Sequence, residues 1–152
     1  MNGYVPLNVR SSYSIGESIC QIPRLVRKAR EMGMLALALV DASMCGMKEF
    51  HAACRSQSSL QYGSQPPIKP IIGLRVWIRE RGMDAPLVLV AKDKAGYGNL
   101  VRLVSEAKLK CDNRHVAVVP LEVVLRLGGG MMCLAGSKDL GLAEACRNRF
   151  TV

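Results

Sequence analysis

A chain of 152 residues with 49% hydrophobic content is long enough for one domain with a buried core, and its composition excludes a disordered or fibrous protein. Lysine and arginine outnumber aspartate and glutamate by 21 to 12, a net charge of +9 that favours anionic partners, although the cations are spread along the chain and not interleaved with aromatics as on a stacking platform. With no secretory signal or membrane-length apolar run, the six cysteines (Cys20, Cys45, Cys54, Cys111, Cys133 and Cys146) read as reduced cytoplasmic thiols; none forms Cys-x-x-Cys or has His at zinc spacing.

Tyr4 to Val9 predicts a short strand, and Arg10 to Ser18 a polar loop carrying Ser11, Ser12, Ser14 and Gly16. Ile22, Leu25, Val26, Ala29 and Met32 then fall at helical spacing, with Pro23 in the first turn, Gly33 at the C-terminal cap, and Arg27, Lys28 and Arg30 on the wet side. Leu35 to Val40 is an unbroken apolar run, which predicts a strand covered on both faces as in a parallel sheet. Asp41 comes right at its end. Ligands and metals bind beyond the carboxyl ends of such strands, so Asp41 is a candidate for chemistry.

A second helix is predicted from Met47 to about Arg55, burying Met47, Phe50 and Cys54 or Ala53. Residues 56–67 (SQSSLQYGSQPP) have no periodicity and read as a surface loop. Strands follow at Pro70 to Ile78 and Pro86 to Ala91, with a turn around Gly82 to Ala85 between them. Ala95 to Leu109 predicts a helix with Tyr97, Leu100, Val101, Val104 and Ala107 on one face. Gly96-Tyr97-Gly98 lacks phosphate-loop spacing and reads as a helix start that packs Tyr97 inward. Cys111 to His115 is polar loop, Pro120 to Leu127 a short helix, Gly128 to Gly130 a turn, Met131 to Ala135 a buried strand containing Cys133, and Leu140 to Arg149 a helix. This order fits an α/β layered sheet or barrel.

Four runs carry a family likeness: PLNVRSSYS at 6–14, RLVRKAREMGMLALALVDASMCGMKEF at 24–50, IKPIIGLRVWI at 68–78 and LVLVAKDKAGYGNLVRLVS at 87–105. Together with LEVVLRLGGGMMCLAGS at 121–137 they resemble the N-terminal PHP (polymerase and histidinol phosphatase) domain of bacterial C-family DNA polymerases, the replicative polymerase III alpha subunit and its error-prone relatives. The resemblance implies a distorted βα barrel, of which residues 1–152 would be a partial, N-terminal portion with 56–67 as a loop insertion. It also implies that the chain is a fragment or truncated product. The expected partners are the rest of a polymerase chain, a proofreading exonuclease subunit, and DNA through the basic surface, with no membrane.

The likeness breaks at the metal residues. Where metal-retaining members of the family carry His-x-His, this chain has Asn8, Val9 and Arg10; where they carry Thr-Asp-His, it has Val40, Asp41 and Ala42; and Arg75 stands where a Glu is usual. Glu49 also matches an acidic family position but is not read as a ligand. Zinc and similar ions need several converging imidazole or carboxylate ligands, so the expectation is a lost metal site, no cofactor, and Asp41 held by Arg10 or Arg75. His51 and His115 read as ordinary surface or structural residues, and Ser11, Ser12 and Tyr13 as loop caps, with an anion pocket as the alternative. Two other functions stay open: a standalone metal-dependent phosphoesterase of the same superfamily, and a degenerate interaction module with no polymerase attached.

Overall fold

The computed structural model describes residues 3–56, 67–80, 83–109, 118–135 and 150. The loop expected at 56–67 lies, apart from its two ends, outside the described residues, as do the polar loop around 111–115 and the helix expected over 140–149. The elements run α1 (Ile22–Glu31), β1 (Ala36–Leu39), α2 (Met47–Arg55), β2 (Lys69–Glu80), β3 (Met83–Ala91), α3 (Lys94–Leu109), β4 (Val118–Pro120), α4 (Leu121–Arg126) and β5 (Met131–Ala135). Five strands pair in the order β1-β2-β3-β5, with β4 also on β2. The chain divides into two compact units, Met1–Ile72 and Gly73–Val152.

In the first unit the apolar run is the buried strand its composition predicts: Ala36 to Val40 are all buried. Leu35 is the exception, 54% exposed, and β1 starts one residue later. β1 pairs in parallel with the beginning of β2, Ala36 opposite Lys69 through Leu39 opposite Ile72. Along its other edge lies the segment expected as a strand at 4–9. It gives only the single bridge Val9–Leu39, with Ala38 N–H donating to the Pro6 carbonyl at 3.1 Å and Val40 N–H to the Val9 carbonyl at 2.8 Å. Pro6 has no N–H to extend the ladder, which limits this segment to an irregular extended edge.

Helices α1 and α2 cover this sheet with Ile22, Val26, Ala29, Met47, Phe50 and Cys54, packed on Leu37, Leu39 and Ile68. The chain leaves α1 through Gly33, whose φ of +68° suits a residue without Cβ, and whose N–H donates to the Arg30 carbonyl at 2.8 Å. The two helices lie side by side in the same direction. At their start, a Cβ on Gly46 would stand 2.9 Å from Ile22 Cδ1; at their end, the Arg30 guanidinium donates to the carbonyls of Ala53 (2.8 Å), Cys54 (3.0 Å) and Ser56 (2.8 Å). Arg30 is therefore not a solvated cation as its position in the α1 pattern suggests. It satisfies carbonyls that the last turn of α2 leaves without helical donors.

In the second unit the remainder of β2 forms an antiparallel ladder with β3, from Gly73 opposite Val90 to Glu80 opposite Met83. The turn expected over 82–85 is shorter than read, because Asp84 and Ala85 already pair with Arg79 and Ile78. Arg79 grips Asp84 through Nε and Nη2 at 2.7 and 2.8 Å, and this hydrogen-bonded partner raises the guanidinium pKa. β5 lies antiparallel on β3, and β4 parallel on β2. The sequence pattern does not predict β4: Pro120 closes it and leads directly into α4, which starts at Leu121 rather than Pro120.

Helix α3 buries Gly96, Leu100, Leu103 and Ala107. Tyr97 and Val101, expected inside, are each 40% exposed, and Val104 is half-buried; the buried stripe runs one position off the expected one. The reason lies at Gly96. Its N–H is capped by Asp93 Oδ1 at 2.8 Å, and a Cβ there would collide with the Gly130 carbonyl oxygen. Gly130, at φ +70°, sends that same carbonyl to the Lys92 N–H at 2.9 Å. The helix thus meets the turn before β5 backbone to backbone, which points Gly96 inward and Tyr97 out. Cys133 on β5 is half-buried, short of the full burial expected. Among the described residues no helix is long and apolar enough to cross a membrane.

Two outcomes test this packing. Gly96→Ala forces a methyl against main chain that cannot rotate away, and should lower unfolding free energy by about 3 kcal/mol in urea titrations. Cys54 has no exposed surface, and burial pushes its thiol up to about 11, with Arg30 opposing weakly. An unfolded thiol ionises near 9, so in the window up to about 11 the native state holds a proton that the unfolded chain has lost. Stability should fall as pH rises through that window, and Cys54→Ala should remove this component of the fall.

Candidate functional site

The position that the sequence nominates, the carboxyl end of β1, contains a completely buried carboxylate. Asp41 has no exposed surface, and neither do its surroundings offer water: Ser11 is 0% and Ser14 3% exposed. Stripping solvent from a charged carboxylate costs several kcal/mol unless other donors take its place. Here Oδ1 accepts the Ser11 backbone N–H at 2.7 Å and the Ser14 hydroxyl at 2.7 Å, while Oδ2 accepts the Ser11 hydroxyl at 2.6 Å. Ser11 Oγ in turn accepts the Tyr13 N–H at 3.2 Å, so its hydroxyl is used in both directions. No buried side-chain nitrogen or oxygen among the described residues lacks a partner.

The loop supplying these donors is tied to itself as well. Ser14 N–H donates to the Ser11 carbonyl at 3.0 Å, a single turn that places the two hydroxyls three residues apart on the same side. Glu17 and Ser18 N–H groups both reach the Ser14 carbonyl, and Ser12 N–H donates to the Cys20 carbonyl at 2.8 Å, closing the loop at its base. Gly16, at φ +80°, turns its tip. Nearby, Tyr13 lays its ring on Gly46, where an added Cβ would be 2.7 Å away, and its hydroxyl donates to Glu49 at 3.0 Å. That hydrogen bond raises the Tyr13 pKa, with the Glu49 charge adding to it.

The expectation that an arginine holds Asp41 is corrected by these contacts. Arg10 turns outward to Glu17 at 2.8 Å, and Arg75, in the second unit, carries its guanidinium 5.4 Å from the Trp77 ring centroid. Two hydroxyls and an amide, at 2.6 to 2.7 Å, take the place that a guanidinium was expected to fill. Of the other positions nominated with Asp41, Asn8 and Ala42 are exposed, and Glu49 bonds Tyr13. Ser11, expected to cap the loop, does so through the aspartate; Ser14, expected only as part of the loop, is the second hydroxyl donor. The signal for Ser14 was its spacing, i+3 from Ser11 in a loop that follows an edge segment. His51 is exposed on α2, and the thiols Cys20 and Cys45 are exposed and free.

The described residues do not fit a zinc- or manganese-type centre at this position. Asp41 is surrounded by hydrogen-bond donors, its neighbours Asn8, Arg10 and Ala42 offer no imidazole or second carboxylate, and no three His, Cys, Asp or Glu side chains converge among the described residues.

Fold and site together define an α/β domain with a hydrogen-bonded aspartate where the ligand end of its first strand lies. Residues 6–148 match the PHP domain, and the chain belongs to that family. It is 29% identical over 140 residues to DNA polymerase III subunit alpha of Vibrio cholerae, covering 90% of this chain and 11% of that protein. The same subunit of Chlamydia trachomatis is 30% identical over 154 aligned positions, covering 93% of this chain and 12% of the relative. The Escherichia coli K12 subunit is 30% identical over 144 positions, 91% of this chain and 12% of the relative. The chain thus spans about an eighth of these relatives' length. Among solved structures, a Bifidobacterium adolescentis protein provisionally assigned as a metal-dependent phosphoesterase superposes with a TM-score of 0.53 at 13% identity, over 72% of this chain and 34% of that one; the likeness shows the fold.

Asp41→Ala should be among the most damaging single changes in the first unit, lowering unfolding free energy by roughly 3 kcal/mol or more, since it leaves two hydroxyls and an amide buried without their acceptor. Ser14→Ala, which removes one charge-assisted bond, should cost about 2 kcal/mol, and the Asp41→Ala/Ser14→Ala double variant clearly less than the sum. Chemical denaturation of the three variants measures this coupling.

Proposed function

We propose that the chain is a metal-depleted PHP segment of a bacterial DNA polymerase III alpha-type subunit, with a structural or partner-binding role in DNA replication or error-prone synthesis in the cytoplasm. The observation that carries this reading is the engagement of both Asp41 oxygens by Ser11 and Ser14. A hydrolytic centre of this superfamily uses a bound cation to generate hydroxide at neutral pH, and holds that cation with several anionic or imidazole ligands and an open position. Two hydroxyls and a backbone amide that donate to Asp41 occupy three of the carboxylate's roughly four lone-pair sites from within. Arg10, a neighbour in sequence to the loop, is ion-paired to Glu17 at 2.8 Å and supplies no ligand for a divalent ion.

In this role the domain contributes surface and stability to the rest of a polymerase chain, and its partners are that chain, a proofreading exonuclease subunit, and DNA. Template-directed nucleotide transfer belongs to carboxylates elsewhere in such a polymerase. The reading of residues 1–152 as a partial PHP barrel, with 56–67 as an inserted loop, belongs to the same proposal.

Protein purified from medium supplemented with zinc and manganese should carry neither at stoichiometric level by elemental analysis, and should hydrolyse p-nitrophenyl phosphate with added manganese no faster than an Asp41→Asn variant. Stoichiometric metal together with manganese-dependent hydrolysis would instead establish the standalone phosphoesterase.

A further inference from the structure

Helix α3 presents a solvent face whose charged residues are all cations. At about 100° per residue, Lys94, Tyr97, Val101, Arg102, Ser105 and Lys108 fall within an arc of roughly 140°, opposite the buried stripe of Gly96, Leu100, Leu103 and Ala107. All six are exposed. Three of them are cations, and the helix offers them no carboxylate on that arc: its one acid, Glu106, is engaged by Arg126 at 3.0 and 3.1 Å, and Asp93 just before it accepts the Gly96 N–H. On α1, by contrast, Glu31 sits among the cations and takes both Arg27 (3.8 Å) and Lys28 (3.3 Å).

Beside the α3 cations lie both small and apolar residues, Val101 (40% exposed) and Leu109 (86% exposed) among the latter. Gly98 has no side chain, and Ser105 folds its hydroxyl back onto the Val101 carbonyl at 3.0 Å. Tyr97, 40% exposed, adds a phenol of the kind that hydrogen-bonds phosphate oxygens. The helix of 16 residues is about 24 Å long, and successive phosphates of one strand of a duplex advance about 3.4 Å along its axis, so the three cations span several phosphates at once.

We infer that the outer face of α3 is a docking surface for the phosphate backbone of duplex DNA, with Lys94, Arg102 and Lys108 as the phosphate contacts and no reading of base sequence. The choice of DNA over another polyanion rests on the polymerase reading given above. The charge complementarity is that of three cations along one helix face meeting a continuous row of anions, in which each contact releases a condensed counterion. An acidic protein would place discrete carboxylates, and is the alternative outcome of the test.

The experiment is fluorescence anisotropy of a labelled 20-base-pair duplex titrated with the full 152-residue chain across a series of KCl concentrations. Three contacts predict a log–log salt slope of about −2.7, a loss of roughly 40-fold in affinity between 50 and 200 mM salt. Lys94→Gln/Arg102→Gln/Lys108→Gln should weaken binding at low salt by about 10-fold or more and flatten the slope. Arg24→Gln/Arg27→Gln/Lys28→Gln on α1 removes the same charge and should bind as the parent does. Circular dichroism melts of both variants, whose changes are all on exposed side chains, verify folding.

Equal loss in the two triple variants, undiminished binding by the α3 variant, no binding by the parent, or preference for poly-L-glutamate over the duplex would each overturn the inference. The metal assay is independent. Stoichiometric zinc would overturn the proposed function while leaving an α3-dependent salt slope intact, and a metal-free chain that ignores DNA would do the reverse.

Discussion

A carboxylate sealed from water is the constraint around which the first half of this protein is arranged. Asp41 is delivered to the end of β1 by five buried residues, Ala36 to Val40, and at that depth it must be met by donors. The chain meets the demand locally, with Ser11 and Ser14 brought within hydrogen-bond distance by one turn of a loop that also bonds to itself. The same anchoring fixes the position of Tyr13, and Tyr13 in turn packs on Gly46, where α2 begins beside Ile22 of α1. A polar lock at the strand end and a nonpolar contact at the helix starts are therefore parts of one arrangement.

At the opposite end of the two helices the problem is reversed: acceptors there need donors. The Arg30 guanidinium reaches three carbonyls at the end of α2, and its positive charge suits the negative end of the helix dipole. The first unit is thus stapled at both ends by polar groups, with the apolar contacts of Phe50, Val26 and Leu39 between them. An aspartate at the end of a buried strand here fixes a loop.

How much of this the amino-acid sequence discloses depends on how local the determining interaction is. The bounds of α2 and β5 and the burial of 36–40 follow from apolar spacing and punctuation by glycine, and they stand where the pattern puts them. β4 escaped because three residues ending in proline carry no periodicity, and its existence depends on pairing with Trp77 to Arg79, far away in sequence. The orientation of Tyr97 was decided by a backbone contact between Gly96 and Gly130 that no helical wheel contains. At the site, the apolar run places Asp41 at the end of a buried strand, as the structure has it, but the partner that the sequence suggests is not the one that binds it. Charge alone points to arginine, whereas the donors that meet this fully buried carboxylate are the hydroxyls of Ser11 and Ser14 and the Ser11 amide, all supplied by one short loop.

The meeting of Gly96 and Gly130 has a consequence for how this chain can change. Each glycine occupies space that a side chain on the other would need: a Cβ on Gly96 would strike the Gly130 carbonyl, and one on Gly130 would stand 2.6 Å from the Gly96 nitrogen. Neither position can acquire a side chain while its counterpart holds still, so the two behave as a single mutational unit separated by 34 positions in sequence. A library that randomises one of them alone should be strongly enriched in glycine. Variety at this junction is reached by moving the helix start and the turn together, which makes the junction a fixed point for grafting the domain or permuting its chain.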